Sequence, residues 1–109
     1  MKAILLYFFL AFHFHNAISQ DSDSTYKPVT FPDGFTSRLN VVYTNVNGWE
    51  GKMDLYLPPQ KNGASPVVIN IHGGGWNKGV KESQTGFNTF FKMGYAVANI
   101  EYRLSQQAA

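Results

Sequence analysis

The chain has 109 residues, a formal charge of +2 at pH 7 and no cysteine, and 44% of its residues are hydrophobic. The absence of cysteine excludes a disulfide framework, a thiolate metal site and a thiol nucleophile. Since no run of basic residues provides the electrostatic footprint of nucleic-acid binding, no nucleic-acid partner is expected.

Residues 1–19 have the layout of a cleavable signal peptide. Lys2 precedes an almost unbroken apolar run over residues 3–12, and the small-residue pattern of residues 17–19 follows. A spanning helix needs about 20 apolar residues, so this run is too short for a stable membrane anchor. A buried amphipathic helix is disfavoured because residues 5–12 have no polar face. The sequence predicts a secreted or periplasmic protein that starts at Gln20 with a charge of +1.

Residues 20–37 are predicted to form a flexible leader and a turn-rich loop. The leader is polar, and the loop contains Pro28, Pro32 and the Asp33-Gly34 pair. Such segments lack the apolar content that packs into a core. We therefore expect the folded domain to cover residues 38–109.

An antiparallel hairpin is predicted at the start of this domain. Apolar and polar residues alternate over residues 39–44 and again over residues 52–57, on either side of the Asn47-Gly48 pair. Two runs of period 2 around an Asn-Gly turn are typical of a hairpin. Pro58, followed by a second proline, cannot donate a ladder hydrogen bond and ends the second strand.

Two further strands are nearly continuous in apolar residues, which is typical of parallel strands covered on both faces. They occupy residues 67–71 and 95–100. Between them, three phenylalanines at helical spacing over residues 87–91 predict a short helix that Ser83 caps and Gly94 ends. A strand, helix and strand in this order give a right-handed βαβ crossover.

The predicted fold class is therefore α/β, with an antiparallel hairpin followed by a βαβ unit. One helix cannot cover both faces of four strands, so the domain is expected to be incomplete and marginally stable. We expect exposed apolar sheet and an unpaired edge next to residues 95–100.

The residues that carry chemistry follow directly after the strand at residues 67–71, in the segment His72-Gly73-Gly74-Gly75-Trp76. Ligands bind at the carboxyl ends of strands in such sheets, and consecutive glycines leave backbone N–H groups open to an incoming oxygen. The glycines are contiguous and no Gly-Lys-Ser/Thr follows, so a phosphate-binding loop is excluded. One mature histidine cannot build a three-ligand metal site.

This segment resembles the His-Gly-Gly-Gly loop of esterase and lipase α/β-hydrolases, which lies between the third strand and the first helix. Residues 53–58, Met-Asp-Leu-Tyr-Leu-Pro, are similar to the second strand of that family. Residues 101–104, Glu-Tyr-Arg-Leu, are similar to its Asp-Tyr-Arg-Leu segment, with Glu101 in place of aspartate. The resemblance implies the N-terminal portion of an α/β-hydrolase sheet.

The resemblance also implies a role for each residue of the loop. The backbone N–H groups of Gly74 and Gly75 would bind an oxyanion, Gly73 would allow the turn, and His72 would brace the loop. The alternative of His72 as general base is disfavoured, because the base histidine of the family comes much later in the chain. Trp76 either borders the acyl pocket or packs beside the core strand, with packing the more common use of tryptophan.

The nucleophile, acid and base of a catalytic triad are absent from these residues. None of the serines lies in a Gly-x-Ser-x-Gly pattern, and Asp54, Glu82 and Glu101 are interpreted as solvated or structural charges. In this fold the triad follows in the order serine, acid, histidine, after the strand that ends near Arg103. All three are therefore expected beyond Ala109.

The function predicted from these patterns is that of a piece of a secreted serine carboxylic-ester hydrolase, inactive by itself. The expected substrate is a small-molecule or polysaccharide-linked ester, and no cofactor is expected. The oligomeric state stays open. Two alternatives also stay open: a noncatalytic secreted module that keeps the glycine loop, and the peptidase branch of the same fold.

Overall fold

A computed structural model describes residues 25–60 and 63–108 of the protein. The predicted signal peptide and the start of the leader lie outside the described residues. Four strands, one α-helix and two 3-10 helices follow along the chain: β1 (Thr36–Val46), β2 (Trp49–Leu57), β3 (Val67–Ile71), a 3-10 helix (Lys81–Ser83), α1 (Asn88–Lys92), β4 (Ala96–Ile100) and a second 3-10 helix (Ser105–Gln107). Over these ranges, none of the helices has the length and apolar character to cross a membrane.

The predicted hairpin is confirmed. β1 and β2 pair antiparallel, and Val46 faces Trp49 across the turn. Asn47 and Gly48 both have left-handed backbone conformations, with φ of 51° and 83°. This combination is the two-residue turn whose twist matches that of the strands. β2 ends at Leu57, before the two prolines, as predicted.

The strand order in the sheet is β1-β2-β4-β3. β4 pairs antiparallel with β2 and parallel with β3, with Val67 opposite Ala96 and Ile71 opposite Ile100. The parallel pair confirms the predicted βαβ unit. The expectation of an unpaired edge next to residues 95–100 is wrong, because β4 has a partner on both sides. In the described sheet the edges are β1 and β3.

The helix between β3 and β4 is shorter than predicted. α1 has five residues and begins after Phe87, while Ser83 lies in the first 3-10 helix and donates its hydroxyl hydrogen bond to the carbonyl of Val80. Ser83 therefore does not cap α1, which corrects the prediction. Gly94 ends the helix as expected, with φ of 77°.

The core lies on one face of the sheet, between the strands and α1. Phe87, Phe91, Tyr56 and Val97 form the buried cluster. The rings of Tyr56 and Phe91 are 5.8 Å apart in an edge-to-face arrangement, which suits the quadrupoles of both rings.

The opposite face is open along β3. Val67, Ile69 and Ile71 are 59 to 64% exposed. The expectation that residues 67–71 are covered on both faces is therefore wrong for the described chain, because α1 packs on the other face and β3 is an edge strand. For β4 the expected burial is correct, since residues 96–99 are buried.

Candidate functional site

The glycine loop leaves the carboxyl end of β3 and turns back at once. Gly74 and Gly75 have φ of 127° and 61°. A Cβ on Gly74 would lie 1.8 Å from the carbonyl oxygen of Lys78, so the loop has no room for a side chain there. Gly73 has no left-handed φ and faces open space. The turn therefore depends on Gly74 and Gly75, and not on Gly73 as the sequence suggested.

The hydrogen bonds inside this loop use its carbonyls. The carbonyl of Gly74 accepts from the backbone N–H groups of Asn77 and Lys78, at 3.4 and 3.3 Å. Among the hydrogen bonds of the described residues, none uses the N–H group of Gly74 or Gly75. Two adjacent donors are therefore available to an external acceptor, which is the property an oxyanion-binding loop requires.

A cavity of about 250 Å³ lies against the loop. Its lining brings together all the residues that the sequence assigned to the site: His72, Gly73, Gly74, Gly75 and Trp76, with Ile71 and Tyr102 added. Trp76 is 76% exposed, so it forms part of the cavity wall and does not pack into the core.

His72 is buried and held on three sides. Its Nδ1 lies 2.8 Å from the carbonyl oxygen of Gly73, and its Nε2 lies 3.0 Å from Oε1 of Glu101. The imidazole stacks on the ring of Tyr102 with centroids 4.3 Å apart. Both ring nitrogens thus already have partners, which fits a bracing role and leaves neither free to act as a general base.

Glu101 connects the loop with the rest of the sheet. Besides the contact with His72, its Oε2 accepts a hydrogen bond of 3.0 Å from the backbone N–H of Lys81. Its own N–H donates to the carbonyl of Lys52 at 2.8 Å. Of the two interpretations of this carboxylate, solvated or structural, these contacts select the structural one.

The segment after β4 holds the far side of the loop. The N–H of Ser105 donates to the carbonyl of Trp76 at 2.8 Å, and the side-chain amide of Gln106 donates to the carbonyl of Asn77 at 2.9 Å. The loop is therefore fixed at both ends by contacts with residues that follow Ile100.

Lys81 is a buried lysine that no sequence pattern singled out. Its Nζ donates to Oδ2 of Asp54 at 3.0 Å and also to Glu82. Burial by itself lowers the pKa of Lys81, but the hydrogen bonds to Glu82 and Asp54 outweigh that effect and raise it. Asp54 is buried as well and is a structural charge. No periodic pattern marks a lysine in so short a 3-10 helix, so only the fold reveals the pairing of Lys81 with Asp54.

No other catalytic constellation surrounds the loop in the described part of the chain. The ring of His72 bonds to Gly73 and Glu101 and to no serine hydroxyl. Within residues 25–60 and 63–108, no group of three histidine, aspartate or glutamate side chains could hold a metal ion.

A four-stranded mixed sheet with a glycine loop at the end of its parallel strand defines the N-terminal portion of an α/β-hydrolase, and solved structures support this class. One is the structure of esterase B from Lactobacillus rhamnosis with a C4-C4 SN3 tributyrin phosphonate inhibitor. Its sequence is 28% identical to that of this chain, and the two structures superpose with a TM-score of 0.51. A structure of the same esterase with a C6-C4 SN3 inhibitor is 29% identical with the same TM-score. Each match covers 71% of this chain and 26% of the esterase chain.

The chain belongs to the BD-FAE family, whose sequence profile matches residues 53–109. It spans about a quarter of the length of the esterase B structures to which it is similar. A comparison with curated proteins gave no match. Family and structural neighbours together place the chain among esterase-like hydrolases.

Proposed function

We propose that this chain supplies the oxyanion loop of a serine hydrolase that cleaves carboxylic esters. The observation that carries the proposal is the pair of glycine N–H groups, on Gly74 and Gly75, that no described residue uses and that lie at the wall of a cavity. Esterase B is similar in fold, and the match covers only 26% of its chain. In this proposal, residues beyond these 109 would therefore complete the site.

The chemistry assigned to the loop is electrostatic. When a serine hydroxyl attacks an ester carbonyl, the carbonyl oxygen gains negative charge in the tetrahedral intermediate. Two N–H donors positioned beforehand stabilise that charge without reorganisation, and each such donor lowers the barrier by about 3 to 4 kcal/mol. In this proposal His72 and Glu101 hold the donors in place and take no part in proton transfer.

The nucleophile, acid and base belong, in this proposal, to residues that follow the 109 of this chain. This assignment rests on the triad order of the fold and on the contacts of His72, whose two nitrogens are already engaged. We further propose that residues 1–19 direct export and that the substrate is a small-molecule or polysaccharide-linked ester. Trp76, exposed beside the glycines, would then contact the acyl group.

The experiment begins with the reading frame that follows the codon for Ala109. If the frame continues into a Gly-x-Ser-x-Gly pattern, the longer protein and the 109-residue chain are assayed side by side with p-nitrophenyl acetate. We expect turnover from the longer protein, loss of that turnover on changing the elbow serine to alanine, and none above background from the 109-residue chain.

Two outcomes would contradict the proposal. Turnover by the 109-residue chain that a serine substitution abolishes would show that the nucleophile lies within it. A longer protein that lacks a serine elbow and has no esterase activity would favour a noncatalytic module. A matched pair of variants tests the loop itself: Gly74→Ala should reduce kcat of the longer protein, whereas Gly86→Ala, which adds the same methyl group in open space outside the cavity, should not.

A further inference from the structure

A second cavity, of about 240 Å³, opens on the α1 face of the sheet and shares no lining residue with the cavity at the glycine loop. Its lining includes Phe31, Asp54, Tyr56, Lys81, Gln84 and Asn99. Ligand pockets for drug-sized molecules span about 300 to 1,000 Å³. This cavity is smaller, so its ligand would be about the size of one sugar ring.

Buried polar groups lie at the base of the cavity. Asp54, Lys81 and Asn99 are 6, 3 and 1% exposed. The amide of Asn99 donates to the carbonyl of Lys81 at 2.8 Å. Because each group is fixed by bonds to its neighbours, the donors and acceptors at the base are preorganised and would lose little entropy on binding a ligand.

These groups keep further hydrogen-bonding capacity. The ammonium of Lys81 has three protons, and its bonds to Asp54 and Glu82 use two of them. The carboxylate of Asp54 accepts one bond from Lys81 and one of 2.8 Å from the N–H of Asn40. Since a carboxylate has about four acceptor sites, it can also accept from a ligand hydroxyl.

The charges around the cavity balance. Lys27 and Lys81 contribute two positive charges, and Asp54 and Glu82 contribute two negative ones. Burial raises the pKa of Glu82, but the hydrogen bond from Lys81, a backbone hydrogen bond and the nearby positive charge together outweigh burial, and the net shift of this pKa is downward. The carboxylate is therefore ionised at neutral pH. A cavity without excess charge does not select an anion or a cation, and a neutral ligand fits it best.

Aromatic rings complete the wall. Phe31 is 37% exposed, and its ring centroid lies 5.6 Å from that of Tyr56. Burial, together with the charges of Asp54 and Glu82, raises the pKa of Tyr56 to about 12. Its phenol therefore stays neutral and can donate a hydrogen bond. Exposed amide and hydroxyl groups of Gln84 and Ser37 add polar atoms to the lining.

We propose that this cavity binds a single neutral sugar ring in the pyranose form. A pyranose presents C–H groups on its faces, one of which packs on the exposed ring of Phe31, and hydroxyls at its rim, which pair with Asp54, Lys81 and Asn99. The site is independent of ester hydrolysis and would hold a sugar whether or not the chain is part of an enzyme.

The test is an NMR titration of the ¹⁵N-labelled full chain with methyl β-D-glucopyranoside. We expect saturable shifts of the side-chain amide signals of Asn99 and Gln84, with a Kd in the millimolar range, about 4 kcal/mol of binding free energy. Gln84→Ala changes an exposed residue and should weaken binding about two- to tenfold, the effect of one hydrogen bond. Phe31→Leu should weaken it further. Gln60→Ala, an exposed glutamine outside this cavity, is the matched control and should leave the Kd unchanged.

Several results would overturn the proposal. One is the absence of saturable shifts of the amide signals on addition of the glucoside. Another is shifts of equal size with inorganic phosphate or with cyclohexanol, which has a six-membered ring but only one hydroxyl. A third is a Kd that neither Gln84→Ala nor Phe31→Leu changes. Because the glucoside contains no ester, failure of this test leaves the proposed hydrolase function intact. Failure of the esterase assay likewise leaves the sugar site intact.

Discussion

At Gly74 the loop allows no Cβ, and this restriction leads to a graded prediction for three neighbouring residues. Gly74→Ala would place a methyl group 1.8 Å from the carbonyl oxygen of Lys78 at a φ of 127°. We expect a loss of about 2 to 3 kcal/mol in the free energy of unfolding. Gly75→Ala meets open space but keeps a left-handed φ and should cost about 1 kcal/mol. Gly73→Ala should change stability by less than about 0.5 kcal/mol.

Urea unfolding followed by far-ultraviolet circular dichroism measures this series. Gly73→Ala is the internal control, because it adds the same methyl group without a clash. If the three variants had the same unfolding midpoint, the close approach of Gly74 to Lys78 would be incorrect.

Single residues also mark what the sequence can and cannot reveal about the site. Contiguous glycines after an apolar strand identify the loop, because both the strand pattern and the glycine requirement are local. Glu101 and Tyr102 hold His72 from 29 and 30 positions away, and Lys81 meets Asp54 from 27. Contacts at such separations depend on how the strands pair, so no local pattern predicts them.

Among the elements, α1 is short and is held by packing more than by its own propensity. An isolated helix of fewer than about 12 residues is unstable in water, and α1 has five. Phe91 is 2% exposed and contacts the rings of Phe31, Phe35, Tyr56 and Phe87. The phenylalanine spacing predicted a helix and its end at Gly94 correctly, but the helix begins only after Phe87 and is therefore shorter than predicted.

Phe91→Ala should therefore destabilise the protein strongly. Truncating a buried phenylalanine costs about 3 to 5 kcal/mol, which is a large fraction of the 5 to 15 kcal/mol typical of whole domains. We expect loss of the folded signal in near-ultraviolet circular dichroism. Met93→Ala, two residues further along and 56% exposed, should leave the spectrum unchanged. A Phe91→Ala variant that unfolds at the same urea concentration as the unchanged protein would refute this account of the core.

The order of the strands in the sheet is also a feature that local sequence patterns do not predict. Alternation and β-branched runs predicted all four strands. They also predicted that β1 and β2 pair antiparallel in a hairpin and that β3 and β4 are parallel in the βαβ unit. The insertion of β4 between β2 and β3 brings residues 53–56 against residues 97–100. Consecutive strands are more often neighbours in space, so the sequence favoured β4 as the edge. The hydrophobic pattern does not distinguish the two orders, since β3 and β4 are both apolar.

For the molecule as a whole, the unequal cover of the two sheet faces is the dominant feature. α1 packs on one face, whereas Val67, Ile69 and Ile71 leave an apolar stripe on the other, along an edge strand with unpaired backbone groups. Exposed apolar surface of this kind, next to an open edge, favours association with other chains. The described chain should therefore self-associate in solution.

Ile69→Lys tests this expectation at the centre of the stripe. The residue is 63% exposed, so lysine can reach water without disturbing the core, and its charge should oppose both apolar contact and edge pairing. We expect sedimentation velocity to show a shift from oligomers towards monomer, with an unchanged far-ultraviolet circular dichroism spectrum. Gln60→Lys, at an exposed residue outside the strands, adds the same charge and should leave the distribution as it was. If both variants dissociated the oligomers equally, net charge and not the β3 stripe would control association. If the protein without substitutions were already monomeric, the stripe would not drive association at all.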